Sequence, residues 1–220
     1  MDFVAALVSL KLAVCTTAIL ILVGLPLAYW LTMSTFRGKF LIEAVVALPL
    51  VLPPTVLGFY ILLATGPSSA SGKLYEQVAG ARLPFSFSGV LFGSVLFNLP
   101  FAVRPFAASF AGMNRRLIES SWCLGVSRWS TFWRITMPMC WPGILAGAVL
   151  TFAHTIGEFG VVLMVGGNIP GVTRTLSIAI YDDVQALNYE AAGQTAFCLV
   201  LFSFGVLSIV QWLGRQRRYE

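Results

Sequence analysis

Residues Met113–Pro138 read MNRRLIESSWCLGVSRWSTFWRITMP. This stretch carries four arginines, at 115, 116, 128 and 134, yet its apolar residues are spaced for helices. Leu117, Ile118, Trp122 and Leu124 predict a short amphipathic helix opening near Arg116. Gly125 then supplies a chain reversal, because a left-handed residue without a Cβ carries no steric penalty. Trp129, Phe132 and Trp133 predict a second amphipathic segment that runs to Pro138. A helix, a glycine turn and a second helix have the shape of an element that docks into a partner's groove.

Outward from this stretch the sequence is almost free of charge. Five blocks carry no Asp, Glu, Lys or Arg: Leu12–Phe36, Ala44–Gly72, Leu83–Val103, Ile135–Gly157 and Ala191–Gly214. Each is at or above the ~20 residues that a helix needs to cross the hydrocarbon of a bilayer. They lack the alternation of barrel strands, and helices are the other way to satisfy every backbone group in lipid. The chain is 58% apolar and 10% charged, too few charges to cover a water-soluble domain of 220 residues. The fold class is therefore an all-α membrane protein, a bundle of five transmembrane helices. The expected spans are about 10–33, 42–65, 88–112, 139–165 and 191–213, within one domain over 8–213, with 113–138 as a loop.

The basic residues set an orientation. Arg37 and Lys39, the four arginines of the loop, and Arg215, Arg217 and Arg218 share one side of the membrane if each block crosses once. The other side holds Lys73, Arg82 and Arg174. The positive-inside rule then predicts an outer N-terminus and a cytoplasmic C-terminus. This clustering, and the absence of a basic stripe, argues against nucleic-acid binding. The first block is too long for a signal-peptide core and is expected to remain as a span. Lys11 is expected to snorkel at its start, and Tyr29 and Trp30 to sit in an interfacial belt near its end. The cysteines at 15, 123, 140 and 198 form no CxxC pair and are expected to be apolar fillers.

Other features bear on a path through the bundle. Pro49, Pro53 and Pro54 must kink or break span 2. Gly89 and Gly93, and Gly143 and Gly147, have the spacing that allows close approach of helices. Arg104 lies inside span 3, toward its loop end, and is either a pathway residue or a snorkelling one. His154 and Glu158 share a face of span 4. Glu158 is expected either to cap a helix break at Gly157 or Gly160, with a structural or gating role, or to reach the outer interface. Arg104 and Glu158 fall at different depths and are not expected to pair. His154 is the sole histidine of the chain and no third ligand is spaced near it, so no metal site is expected. After span 4, Thr173–Gln185 predicts a short interfacial helix with Leu176, Ile180, Tyr181 and Val184 on one face.

The loop resembles the cytoplasmic signature of ABC importer permeases, E-A-A-x3-G-x9-I-x-L-P. Here it stands as Glu119-Ser120-Ser121, Gly125, Ile135 and Met137-Pro138, with every spacing kept, serines for both alanines and methionine for leucine. The resemblance covers most of the chain. It implies the type I importer fold, a loop helix coupled to a separate ATPase subunit, a periplasmic binding protein that delivers the substrate, and a permease homodimer in the bacterial inner membrane. The sequence contains no G-x-x-x-x-G-K-[ST], so ATP and Mg are expected on the partner, with no cofactor and no enzyme activity in this chain. Leu48–Pro54, Gly157-Glu158-Phe159-Gly160 and the outer-loop signature of Asn168, Pro170, Gly171 and Arg174 look like the molybdate branch of that family. Sulfate, thiosulfate and tungstate permeases carry similar segments and are the alternative. An ion-coupled carrier would call for paired midplane charges and repeated halves, which the sequence lacks.

Overall fold

The structure is a computed structural model that describes residues 2–215. Arg217 and Arg218, part of the orientation argument, lie outside the described residues. Helix α1 (Phe3–Met33) starts seven residues earlier than the expected span, because Asp2 caps it by accepting from the backbone N–H groups of Val4 and Ala5. Helix α5 (Phe87–Ala111) lies parallel to α1: Lys11 Nζ sits 4.3 Å over the Phe87 ring at one end, and the Thr32 hydroxyl approaches the Ala107 carbonyl at the other. Helix α8 (Met137–Gly157) runs antiparallel to both, since Ser109 near the end of α5 donates to the Cys140 carbonyl near the start of α8. These three helices enclose a core that includes Leu25, Ala28, Val103, Phe106, Phe110 and Ile144.

The glycine pair of α8 explains how tightly α5 and α8 pack. A Cβ at Gly147 would lie 2.7 Å from the Phe106 ring, and one at Gly143 would collide with Ser109. Hydrocarbon offers no hydrophobic drive between helices, so close approach of small residues replaces it.

The second expected span is two helices rather than one. Lys39–Leu50, made of α2 (Lys39–Ala47) and a 3-10 turn (Leu48–Leu50), is bent by 111° from α3 (Pro54–Thr65). Pro49, Pro53 and Pro54 remove three donors from the ladder, so the break falls there. Among the described residues, four helices are long and apolar enough to cross a membrane, and a fifth crossing exists if the bent pair counts as one. Span 4 is also broken. α8 ends at Gly157, and α9 (Gly160–Gly166) resumes after Glu158 and Phe159. The last crossing is α11 (Tyr189–Arg215).

Between α3 and α5 lies a stretch outside the expected spans and rich in Gly, Ser and Pro, and the structure holds α4 (Ala70–Ala79) there. Ser69 caps it through the Gly72 N–H, and Gly80 ends it at φ +66°. The expected outer helix is α10 (Leu176–Gln185), and its buried residues are Ile178 and Ala179. Tyr181 and Val184, on the face expected at the interface, are exposed. The Ser9 hydroxyl accepts from the Leu176 N–H and ties this helix to α1, and Ile178 packs with Leu12, Val90 and Val162.

Candidate functional site

The loop between α5 and α8 forms as its spacing predicts. Asn114 caps α6 (Arg115–Cys123) by accepting from the Arg116 N–H. Gly125 adopts φ +76°, its N–H donates to the Trp122 carbonyl at 3.0 Å, and the Val126 N–H donates to the Ser121 carbonyl at 3.1 Å. Those two bonds are a Schellman ending, which satisfies helix carbonyls that otherwise face water. The chain then turns into α7 (Arg128–Thr131), a π-turn (Phe132–Thr136) and α8. Met137 N–H donates to the Phe132 carbonyl across that wide turn, next to Pro138, which has no N–H to give the Arg134 carbonyl.

Ser121, one of the departures from the signature, has a visible task. Thr131 donates its hydroxyl to the Ser127 carbonyl, so in the 2.6 Å contact between Ser121 and Thr131 the Ser121 hydroxyl is the donor. This buried bond ties α6 to α7. Ser120 and Glu119 are exposed, Ile135 is half-buried and Pro138 is exposed. Glu119 makes no ion pair among the described residues. It lines, with Arg115, Trp122, Arg128 and Trp129, a cavity of about 800 Å³ between the loop and α1. Tyr29 packs edge-on against Phe110 and Phe132 and joins α1 to the loop, and Trp30 beside it is exposed. The loop itself shows large apolar groups outward: Leu124 is 83% and Trp129 is 71% exposed.

A second group of residues meets at the helix breaks. Asn98 on α5 is fully buried. Its amide donates to the Ser94 carbonyl at 2.9 Å and to Glu158 Oε2 at 3.0 Å. Its Oδ1 lies 2.8 Å from His154 Nδ1. A carbonyl oxygen only accepts, so Nδ1 carries the proton and the three side chains form one directed chain, His154 to Asn98 to Glu158. The His154 ring stacks on Phe101, with centroids 3.8 Å apart. Glu158 is only 5% exposed and follows the end of α8, which removes the reading in which it reaches the outer interface. Its Oε1 is buried without a partner among the described residues.

Gly160 is part of the same place: a Cβ there would lie 2.7 Å from Cβ of Pro54, so the two broken helices touch where α9 and α3 begin. Gly157 differs, since a Cβ there meets nothing within 4 Å. Arg104 makes no contact with this cluster and lies on the other side of Asn98, toward the loop; it lines a separate cavity. Asn98 did not stand out in the sequence, although it is the one amide in the block 83–103. Among the described residues no group of three or more His, Cys, Asp or Glu side chains is placed to hold a metal.

The outer-loop residues brace the opposite pole. Pro170 and Gly171, the latter at φ +75°, build a tight turn in which the Ile169 carbonyl accepts from the Val172 N–H at 3.1 Å. Arg174 pairs with Asp182 at 3.3 Å and approaches Asp2 at 3.7 Å, and Asn168 donates to Asp182. Asp182 is thereby committed to holding α10 against the loop and the start of α1.

A family model described as binding-protein-dependent transport system inner membrane component matches residues 21–219. The chain belongs to this permease family. The permease is 47% identical over 206 residues to the molybdenum transport system permease protein ModB of Azotobacter vinelandii, covering 94% of this chain and 91% of that one. It is 32% identical over 195 residues to a probable sulfate transport system permease protein, cysT, of Zygnema circumcarinatum, covering 89% of this chain and 67% of that one. A bacterial alginate ABC transporter, solved with a periplasmic protein bound to alginate pentasaccharide, has a chain that superposes with a TM-score of 0.77 at 17% identity. That match covers 97% of the permease and 78% of the transporter chain, and at this identity it speaks to fold alone. The permease is a multi-pass protein of the inner membrane, built on the fold of importer membrane subunits.

Proposed function

We propose that the permease is the membrane subunit of an ATP-driven importer of molybdate. The observation that carries the mechanism is the loop of α6, Gly125 and α7. It is a nine-residue helix with a Schellman ending, pinned internally by Ser121 and Thr131, and it turns Leu124 and Trp129 outward. A helix so short is not stable in isolation, and exposed apolar groups of this size need burial against a partner. The partner is an ATPase subunit that binds ATP and Mg, a reading supported by the lack of a G-x-x-x-x-G-K-[ST] motif in this sequence. The choice of molybdate rests on the likeness to the molybdenum permease, which is stronger than the likeness to the sulfate permease.

In this reading Glu119, Ser120, Ser121, Gly125, Ile135 and Pro138 transmit the ATPase's movement to α8. The N-terminus is outside and the C-terminus cytoplasmic, as the basic loops argue. Two permeases pair to enclose the path, since one bundle supplies half of a wall. The cluster of Asn98, His154 and Glu158 then latches the break between α8 and α9 to α5, and release of that latch lets α9 and α3 move together. The outer loop with Asn168, Pro170, Gly171 and Arg174 forms the firm surface that receives a periplasmic oxyanion-binding protein.

The test is uptake of labelled molybdate into proteoliposomes holding the permease and its ATPase, with binding protein and ATP supplied. Accumulation that requires all of these supports the reading. Accumulation driven by an ion gradient without the ATPase would replace it with a carrier mechanism.

A further inference from the structure

We infer that the permease has an anion-binding site at its loop-side pole, in a cavity lined by Lys39, Arg104 and Arg115. The ligand is a phosphate-like group, either a free tetrahedral oxyanion or the headgroup of an anionic lipid. The cavity holds about 530 Å³ between α1, α2 and α5. Three cations line it against a single carboxylate, Glu43. None of the four is in an ion pair among the described residues.

Two of the cations are held by carbonyls of the last turn of α1. Lys39 Nζ donates to the Leu31 carbonyl at 3.3 Å, and an Arg115 guanidinium nitrogen approaches the Thr32 carbonyl at 3.5 Å. Each retains further donors, because an ammonium has three and a guanidinium five. Arg104 is different. It lies seven residues before the end of α5, about 10 Å along the helix axis, and so inside the expected span 88–112. A charge at that depth is costly and needs a partner or water. The cavity runs past it and supplies the space.

The arrangement also has a shape argument. The three donors come from different elements and converge on one space, with Val46 and Val103 as apolar wall. Converging charged donors beside an apolar wall suit an anion that accepts several hydrogen bonds at once. The site does not depend on which anion the complex transports.

The full-length permease is placed in nanodiscs of phosphatidylcholine, and its thermal midpoint is followed in two arms. One arm titrates sodium sulfate, molybdate or phosphate against chloride at constant ionic strength. The other raises the phosphatidylglycerol fraction without added oxyanion. A saturable rise in either arm supports the site, and the arm that responds identifies the source. Arg104→Gln weakens half-saturation about tenfold, the scale of one charge-assisted hydrogen bond. Glu43→Gln tightens it, an effect that general destabilisation does not mimic. If Arg104→Gln does not fold, Lys39→Gln and Glu43→Gln carry the test with opposite signs. No saturable response in either arm, or responses equal in wild type and in these variants, overturns the site.

Discussion

Replacing Gly125 with valine tests how the loop works, because the structure isolates one physical effect. A Cβ at Gly125 meets no atom within 4 Å, so the substitution introduces no clash. What it introduces is strain at φ +76°, about 1–2 kcal/mol for an ordinary L residue and more for a β-branched one. If the chain relaxes out of the left-handed region, the Gly125 N–H bond to Trp122 and the Val126 N–H bond to Ser121 are lost. Each is worth about 0.5–1.5 kcal/mol. The chain takes the cheaper of these two routes, so the cost is about 1–3 kcal/mol, concentrated on a nine-residue helix rather than on the membrane core. At ~1.4 kcal/mol per factor of ten, docking of the loop weakens by roughly 5-fold to about 150-fold. Gly125→Asn is the control, since asparagine tolerates the left-handed region. The assay is co-purification of the ATPase together with ATP-driven uptake. The valine variant reaches the membrane in normal amount but loses both activities, and the asparagine variant keeps most of each. Equal behaviour of the two variants, or normal uptake by the valine variant, refutes the reasoning.

Three further outcomes follow from the geometry. Gly147→Leu forces a side chain into Phe106 and lowers the thermal midpoint in detergent, by an overpacking cost of about 1–3 kcal/mol, whereas Gly157→Ala, in open space, leaves it nearly unchanged. Asn98→Ala removes the shared partner of His154 and Glu158 and costs about 1–3 kcal/mol for each group left unsatisfied, read as a lower midpoint and slower transport; a wild-type midpoint and rate would deny the latch. In a variant cleared of its own cysteines, Gly171→Cys labels from outside intact cells and Trp129→Cys only after permeabilisation; the reverse pattern overturns the orientation.

The charge-free blocks and the loop signature made the bundle and the Gly125 turn readable from residue type alone, since both depend on local chemistry. Hydropathy counts residues along the chain and is blind to direction. It therefore draws spans 2 and 4 as continuous helices, although the prolines at 49, 53 and 54 marked the first break. The break between Gly157 and Gly160 was expected from the glycines around Glu158, but the close seat of Gly160 on Pro54 of another helix is a contact that no spacing within 139–165 encodes. Asn98 matters only because α5 brings it to His154 and Glu158, 56 and 60 positions away. The inward side of α10 is set in the same way, since Ser9, Leu12 and Val90 meet Leu176 and Ile178 from distant parts of the chain. Helix α4 was legible in principle, through the cap at Ser69 and the left-handed Gly80, but the loop's Gly, Ser and Pro content masked it.

The central claim is that this permease couples ATP hydrolysis to the entry of one oxyanion, and ATPase activity of the reconstituted complex tests it most directly. Permease, ATPase and binding protein are combined in liposomes, and hydrolysis is compared with molybdate, tungstate and sulfate on the binding protein. The account predicts stimulation by molybdate that clearly exceeds stimulation by sulfate and disappears with Gly125→Val. Hydrolysis that responds equally to sulfate would contradict the choice of substrate, and hydrolysis indifferent to the loaded binding protein would contradict the coupling itself.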